Sequence, residues 1–386
     1  MLPRVLIVGV STRGLAESAA RAGYRVVAVD GFGDLDLRAC ADTVSIARAG
    51  GENRFSVRAA LNAVRAVPCD VATYVATFEN HPDAVRALAR RAPLWGNPPA
   101  VLRRVRDPVR LARALVAAGI PAPAVRLSAP PRARSGTRWL VKPRASGGGS
   151  GIVPWRGQRV AAGSYLQQRI PGVPGSILLA ADGRRAATLG VSRLLTGDWA
   201  FGASGFRYCG NILCGVAPGV RHLADRISDT VTRAFGLRGV NGIDFVARGG
   251  VPYPVEVNPR YTAALELVER AHGLSIFETH ARACAGVLPA SLPPGDAEAV
   301  GAVGKAIVYA KRTIVIGDTH GWLEDESVRD IPAPGQRIAR GHPVCTVFAR
   351  GPDQAACYAA LVRRADTVYR QITVGAGRTG GERQIA

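Results

Sequence analysis

The segment 240–258, VNGIDFVARGGVPYPVEVN, constrains the fold more than any other part of the chain. Two strand-like stretches flank the glycine-containing connection RGGVP, and this pattern predicts a β-hairpin. Pairing about that connection places Asp244 almost opposite Glu256. Because side chains alternate along a strand, Glu256 and Asn258 share one face. Opposed carboxylates about 5 Å apart repel each other unless a cation lies between them.

These three side chains predict a magnesium site. Two carboxylates and one carboxamide supply the hard oxygen ligands that Mg²⁺ prefers, and the ion usually completes its shell with water and substrate phosphates. No His or Cys accompanies them, so zinc is not expected. The alternative is a solvated hairpin face that carries scattered polar residues.

Lysine is rare in this chain and is therefore informative. Only Lys142, Lys305 and Lys311 occur among the 50 basic residues. Lys142 lies in a predicted strand, and the glycine-rich loop 146–151 follows at once. Glycine lets backbone N–H groups approach phosphate oxygens and lets a loop close over a ligand. We therefore expect a phosphate-binding flap here, with a plain flexible turn as the alternative.

The composition limits the classes of protein to consider. The 386 residues are 47% hydrophobic, which fits two or three globular units, and the longest apolar runs are far shorter than the roughly 18 residues of a membrane span. The net charge is +21, but the basic residues are dispersed, so a field that attracts anionic substrates is favoured over nucleic-acid binding. The seven cysteines form no CxxC pair, and we expect reduced thiols in a cytoplasm.

The first hundred residues predict an α/β domain. Strands at 4–10 and 25–30 flank a helix, and the first turn, GVSTRG, departs from the dinucleotide and phosphate-loop patterns. Glu79, Asn80 and His81 follow a further strand, at the edge where parallel sheets often bind ligands, and we expect them to help select a substrate. A surface loop is the alternative.

Together these features resemble the ATP-grasp superfamily, and most closely its carboligase branch related to biotin carboxylase. The resemblance is carried by Lys142 with its glycine loop, by the strand YLQQ at 165–168, by the twelve-residue spacing of Asp244 and Glu256, and by the ExNPR string at 256–260. The segment 331–351, IPAPGQRIARGHPVCTVFARG, is similar to the C-terminal domain of biotin carboxylases.

The resemblance implies an α/β N-terminal domain over 1–100, an α+β ATP-grasp domain over 101–288 and a small β-rich C-terminal domain over 300–373. Residues 94–123 are expected to form a short strand, a turn and one amphipathic helix. The Gly- and Arg-rich tail, 374–386, is expected to be disordered.

The resemblance also implies the ligands of ATP and of Mg²⁺ or Mn²⁺. The metal ligands are expected to be Asp244, Glu256 and Asn258. Lys142 and Arg260 are the expected catalytic residues, since Lys142 would hold phosphate oxygens and Arg260 the substrate carboxylate and the transferred phosphoryl group. The other nucleotide contacts are expected to be Ser146, Gly147, Gly148, Gly149, Gly151, Gln167, Gln168 and Ile170.

Three positions depart from the family pattern. Pro108 follows Asp107 where many members carry a lysine, so either Arg106 or Arg110 must supply that charge, or the α-phosphate is held more weakly. Gln167 replaces the usual acidic residue of the hinge. Thr262-Ala263-Ala264 follows ExNPR where biotin carboxylases have a Gln-Val-Glu that handles bicarbonate, so biotin carboxylation is not expected.

The predicted activity is an ATP- and Mg-dependent, ADP-forming ligation of a carboxylate to an amine through an acyl phosphate. Similar proteins occur in bacteria with methanopterin-type cofactors, which suggests cofactor synthesis linked to one-carbon metabolism. The alternatives are a carboxylating ligase that does not use biotin and an ATP-binding regulator without catalysis, which Pro108 and Gln167 would favour. The expected partners are small molecules, and the resemblance is compatible with a homodimer.

Overall fold

The computed structural model describes residues 2–46, 55–129, 138–290 and 301–378, with side chains to residue 372. The strands in these ranges are β1 (Arg4–Gly9), β2 (Arg25–Asp30), β3 (Asp42–Ser45), β4 (Val71–Tyr74), β5 (Val125–Arg126), β6 (Trp139–Pro143), β7 (Val153–Pro154), β8 (Ser164–Gln168), β9 (Val173–Asp182), β10 (Ala186–Thr196), β11 (Tyr208–Leu213), β12 (Arg238–Arg248), β13 (Val251–Asn258), β14 (Ala302–Tyr309), β15 (Ile314–Val315), β16 (Val328–Arg329), β17 (Arg337–Ile338) and β18 (Pro343–Gly351).

The α-helices in the same ranges are α1 (Arg13–Arg21), α2 (Leu35–Cys40), α3 (Val57–Val64), α4 (Pro82–Arg91), α5 (Pro99–Val105), α6 (Pro108–Ala117), α7 (Pro218–Phe235), α8 (Leu265–His272), α9 (Ile276–Cys284) and α10 (Gln354–Arg378). Short 3₁₀ helices occupy Phe78–Asn80, Trp199–Phe201 and His320–Glu324.

The N-terminal sheet is parallel, in the order β3-β2-β1-β4. Its inner strand β1 is buried at every residue from Val5 to Gly9, as expected for an apolar strand that is covered on both faces. At the end of β2 the buried carboxylate of Asp30 accepts hydrogen bonds from the N–H groups of Thr12 (2.6 Å) and Gly33 (2.8 Å). This carboxylate therefore joins two loops at the carboxyl edge of the sheet, which faces the rest of the chain.

The segment 94–123 contains two helices, so the prediction of one amphipathic helix after a short strand is wrong. Leu94 makes only an isolated parallel bridge with Ala72. The helical stretch then breaks between α5 and α6, because Pro108 has no N–H group to continue the hydrogen bonding of α5. Asp107 caps α6 by accepting hydrogen bonds from the N–H groups of Val109 (2.9 Å) and Arg110 (3.2 Å). The break leaves Arg106 in the turn between the helices.

Antiparallel sheets form the remainder of the fold. A four-stranded sheet has the order β5-β8-β6-β7, an eight-stranded sheet has the order β13-β12-β9-β10-β11-β14-β18-β16, and β15 pairs with β17. The C-terminal strands β14, β18 and β16 thus extend the same sheet as the strands of the predicted ATP-grasp region. The final helix continues to Arg378, beyond the predicted boundary at 373, and residues 379–386 lie outside the described residues.

The hairpin of β12 and β13 has the predicted register. Asp244 pairs directly with Glu256, whereas the next pair is Phe245 with Pro254. Val255 is therefore an extra residue, a β-bulge. A hairpin that continued the pairing of Phe245 with Pro254 without the bulge would set Asp244 opposite Val255. The bulge is what brings the two carboxylates face to face.

A buried ionic cluster joins the N-terminal domain to the rest of the chain. The guanidinium of Arg13 on α1 is 2% exposed and binds both oxygens of Glu266 on α8, at 2.6 and 3.0 Å. Its Nε also donates to Asp330, at 2.9 Å. The Nζ of Lys305 on β14 donates to Glu266 at 2.6 Å. Loss of Arg13 would therefore leave Asp330 without its hydrogen-bonded cation and would leave Glu266 with only Lys305 as a hydrogen-bonded cation among the described residues.

We expect Arg13→Met to lower the free energy of unfolding by about 3–5 kcal/mol, because breaking one side of a buried ion pair leaves an uncompensated charge. The matched control is Arg21→Met on the same helix. Arg21 is 49% exposed and pairs with Glu269 at 2.9 Å, so its loss should cost about 1 kcal/mol or less. Urea unfolding measures both values, and equal losses in the two variants would contradict the role assigned to Arg13.

Candidate active site

One large cavity, of about 930 Å³, lies over the face of the eight-stranded sheet. Leu140, Gln168 and Ile170 line one end. The predicted metal ligands and Lys142 lie beside them, on β12, β13 and β6. The other end is lined by residues of the buried ionic cluster. The cavity therefore has an apolar end, a central polar region and a charged end.

The three predicted metal ligands meet on the paired strands β12 and β13. Asp244 faces Glu256 directly, and the Nδ2 of Asn258 donates to Asp244 at 2.9 Å. Burial, and then the negative charge of Glu256, raise the pKa of Asp244 to about 6. Among the described residues no group of three His, Cys, Asp or Glu side chains has metal-binding geometry. A metal held here would need phosphate or water oxygens to complete its shell.

Two cations stabilise the ionised form of Glu256. The Nη1 of Arg106 donates to Glu256 Oε1, and the Nζ of Lys142 lies 3.8 Å from Oε2. Burial by itself would raise the pKa of Glu256, but these positive charges outweigh it and the pKa is lowered. The two opposed carboxylates thus differ, because Glu256 has cationic partners and Asp244 has mainly neutral ones.

Of the two arginines beside Pro108, Arg106 reaches the predicted metal site and Arg110 does not. The Nη2 of Arg106 donates to Asn80 Oδ1 at 2.9 Å and to the carbonyl oxygen of Ser146 at 3.1 Å. Arg110 is 61% exposed and pairs with its neighbour Asp107 at 3.7 Å. The helix break at Pro108 therefore places an arginine where the predicted metal site, the N-terminal domain and the glycine loop meet.

Gln167 holds Lys142 in place. Its Oε1 accepts a hydrogen bond from Lys142 Nζ at 3.2 Å, and its Nε2 donates to the carbonyl oxygen of Val255 at 3.0 Å. Val255 is the bulge residue of β13. The amide of Gln167 therefore connects the lysine on β6 to the bulge that positions Glu256, and a contact with ribose or adenine stays a prediction. Gln168, also predicted to contact ATP, accepts from the Ala124 N–H at 3.2 Å.

The glycine loop lies over the cavity. Gly147, Gly148 and Gly149 belong to the lining, whereas Ser146 and Gly151 do not. The Tyr208 N–H donates to the carbonyl oxygen of Gly148 at 3.0 Å. A Cβ at Gly149 would lie 1.8 Å from the Phe206 carbonyl oxygen, and its φ of +76° also favours glycine. The loop thus packs against the segment that leads into β11.

The three residues after β4 that were expected to help select a substrate lie in two different places. Arg260 Nε donates to Glu79 Oε1 at 2.9 Å, and Arg260 Nη2 lies 3.3 Å from Asn258 Oδ1. Asn80 contacts Arg106, as described above. His81 lines a separate depression with Phe55. The structure therefore brings Glu79 and Asn80 to the central region and places His81 elsewhere.

Sequence reasoning missed the charged end of the cavity. Arg13, Glu266, Lys305 and Asp330 all line it. The rarity of lysine was a signal for Lys305, but its partners are far away in sequence: Arg13 and Glu266 are separated by 253 positions. No local pattern relates residues so distant.

Comparisons with known proteins agree with this fold. Residues 105–264 match the family model of an ATP-grasp domain. An uncharacterised protein of Methanocaldococcus jannaschii is 28% identical over 122 residues, a segment that covers 31% of this chain and 28% of that relative's length.

Two solved structures have similar architecture over nearly the whole chain. The L-amino acid ligase of Bacillus licheniformis has a TM-score of 0.68 and 17% identity, and the match covers 95% of this chain and 98% of that chain. A biotin carboxylase of Campylobacter jejuni has a TM-score of 0.67 and 14% identity, with coverage of 92% and 89%. Residues 105–264 therefore match an ATP-grasp domain, and the chain has a biotin carboxylase-like fold. None of the helices in the described ranges has the length and apolar character needed to cross a bilayer.

Without divalent metal at about pH 7.5, we expect Asp244→Asn to raise the free energy of unfolding by up to about 3 kcal/mol, since its pKa is raised by about two units and each unit corresponds to about 1.4 kcal/mol. The folded-state pKa of Asp244 is raised, so its ionisation destabilises the fold. That cost is absent below about pH 3.9, the pKa of Asp in the unfolded chain, and is complete above about pH 6, the pKa of Asp244 in the folded protein. Chemical unfolding should therefore show the gain at neutral pH and not near pH 4.

The matched control for this prediction is Asp225→Asn, at a carboxylate that is 49% exposed on α7. It should change stability little at either pH. Addition of Mg²⁺ with ADP should then stabilise the wild type more than Asp244→Asn. A gain in Asp244→Asn that is independent of pH would contradict the proposed repulsion.

Proposed function

We propose that the protein is an ATP- and Mg²⁺-dependent, ADP-forming ligase that activates a carboxylate as an acyl phosphate and joins it to an amine. The observation that carries the proposal is the direct pairing of Asp244 with Glu256, beside Asn258 and surrounded by Lys142, Arg106 and Arg260. Phosphoryl transfer depends mainly on positioning and on neutralisation of charge, and these are the groups that such a reaction needs.

Each part of the central region has a role in this proposal. Mg²⁺, or Mn²⁺, would be held by Asp244, Glu256 and Asn258 and would neutralise the phosphates. Lys142 and Arg106 already face Glu256, so phosphate oxygens that share the metal with Glu256 would also come within reach of both cations. The glycine loop would cover the phosphates, and the apolar end near Ile170 would receive the adenine.

Arg260 is the group best placed to bind the substrate carboxylate. It follows the metal ligands directly, and its guanidinium is oriented by Glu79 and by the Tyr261 carbonyl oxygen, at 2.9 Å each. Glu79 is almost fully buried, so this orientation depends on the N-terminal domain. A planar guanidinium held in this way can stabilise both the carboxylate and the transferred phosphoryl group.

An amine is favoured over bicarbonate as the nucleophile. Thr262, Ala263 and Ala264, which follow Arg260 after Tyr261, line the cavity, and none of them carries a carboxylate that could act as a base. A carboxylating ligase without biotin is the second candidate, supported by the biotin carboxylase-like fold. It predicts that bicarbonate stimulates ADP release, whereas the amide ligase predicts stimulation by an amine.

The two positions that favoured a non-catalytic regulator have structural roles. Pro108 begins α6 and leaves Arg106 to extend into the site, and Gln167 holds Lys142. Neither residue therefore argues against ATP turnover. ADP release should be screened with amino acids, amines and pterin-like acids, the last because of the proposed link to one-carbon cofactors.

We expect Glu256→Gln and Lys142→Met each to lower ADP formation more than about 100-fold, because one removes a metal ligand and the other a phosphate contact. Lys311→Met is the matched control. Lys311 is exposed and lies against the rings of Trp199 and Tyr369, outside the cavity lining, so ADP formation should be unchanged. Full activity in Glu256→Gln would refute the metal assignment.

A further inference from the structure

The charged end of the cavity has no role in the chemistry described so far. A row of polar side chains crosses the eight-stranded sheet from Asp244 towards this end, and of its members Asp244, Ser176, Asn211 and Lys305 line the cavity. Asp244 pairs with Ser176, Ser176 pairs with Ser192, and the Nδ2 of Asn211 donates to Ser192 Oγ at 3.0 Å. Asn211 in turn pairs with Lys305 on β14. The row links the predicted metal ligands to the buried lysine.

The charged end lies far from the predicted metal site. From β12 to β14 the sheet order passes through β9, β10 and β11, which is four steps between neighbouring strands. At about 4.8 Å per step, Asp244 and Lys305 are roughly 19 Å apart along the sheet. Groups at the charged end therefore cannot contact a metal-bound phosphate, but they can contact a distant part of an extended substrate.

Lys305 has unused hydrogen-bonding capacity. An ammonium group carries three N–H donors and no acceptor. The Lys305 side chain is about 4% exposed, and its only described hydrogen bond is to Glu266 Oε2, at 2.6 Å. Burial of such a group is costly unless its donors find partners. Two N–H donors of Lys305 therefore have no hydrogen-bond partner in the described part of the chain, and the ammonium also lies 5.1 Å from the centre of the Phe348 ring.

Tyr261 supplies a further donor at this end. The residue is 7% exposed, and its buried hydroxyl has no hydrogen-bond partner among the described residues. Burial raises the pKa of Tyr261 well above its usual value, so the hydroxyl keeps its proton. The hydroxyl packs directly against Gly14 on α1, where a Cβ would lie only 2.7 Å from the Tyr261 oxygen.

The acceptors at the same end are already engaged. Both oxygens of Glu266 accept hydrogen bonds from Arg13, and one of them also accepts from Lys305. Asp330 accepts from Arg13 Nε and from the hydroxyl of Thr346. Positive neighbours lower the pKa of both carboxyl groups despite their burial, so both stay ionised. The Lys305 ammonium can only donate and the Tyr261 hydroxyl can donate as well as accept, so one acceptor group would satisfy both.

We propose that Lys305 and Tyr261 bind an anionic group, a carboxylate or a phosphate, carried by one of the ligase's two substrates at a distance from its reacting atom. This inference rests on the proposed function, because it treats the cavity as a substrate site. It adds that the substrate is extended and has an anionic end opposite the adenine.

The test measures the thermal unfolding midpoint with Mg²⁺ and ADP present and with ionic strength held constant by KCl. The probes are glutarate, inorganic phosphate and, as a cationic comparison, 1,5-diaminopentane. The variants are Lys305→Met and Tyr261→Phe, with Lys311→Met as the control for non-specific anion binding to a chain of net charge +21. Lys305→Met leaves Glu266 bound to Arg13, and Tyr261→Phe removes a hydroxyl without a partner among the described residues.

We expect glutarate or phosphate to raise the wild-type midpoint by about 2–4 °C at about ten times its dissociation constant. The anion that gives the larger shift identifies the class of end group. Lys305→Met should abolish the shift, Tyr261→Phe should reduce it without lowering the midpoint in the absence of anion, and Lys311→Met should retain it.

Three results would overturn the inference: no shift with either anion, an equal shift in Lys305→Met, or a shift with the diamine alone. If Lys305→Met does not fold, an undiminished shift in Tyr261→Phe overturns it. These outcomes are independent of ADP release, so a failure of the ligase assignment and a failure of the anion site are distinguishable.

Discussion

The direct opposition of Asp244 and Glu256 across the β12–β13 hairpin is the interaction on which the rest of the site depends. Two carboxylates in this position repel each other, and the fold balances them with charges from elsewhere in the chain. The bulge at Val255 sets the register that creates the opposition. Gln167 binds that bulge and also binds Lys142, so the carboxylate and its cation are positioned by one amide.

The cations of the site come from three separate parts of the chain. Lys142 is on β6, Arg260 follows β13, and Arg106 lies in the helix break before Pro108. Asn80 and Glu79 then connect Arg106 and Arg260 to the N-terminal domain. The N-terminal domain therefore orients the cations of the central region. This role does not require a dinucleotide-binding or phosphate-binding turn after its first strand.

Local sequence patterns predicted the fold class and the hairpin but not the long-range contacts. The alternation of side chains along the two strands and the glycine turn of 240–258 were sufficient to pair Asp244 with Glu256, since hairpin partners are close in sequence. The helix break at Pro108 was missed, although Asp107 followed by proline is a typical helix start. The placement of His81 could not be foreseen, because it depends on the direction of a three-residue turn. The contact of Arg13 with Glu266 depends on the packing of α1 against α8, which no spacing in the sequence encodes.

The most direct test of the central claim is a crystal structure with Mn²⁺ and a non-hydrolysable ATP analogue, in which anomalous scattering locates the metal. The proposed arrangement predicts a metal peak within about 2.5 Å of oxygens of Asp244, Glu256 and Asn258, bridged to the analogue's phosphates beneath the glycine loop. A peak at a different place, or a nucleotide bound away from Lys142, would contradict it.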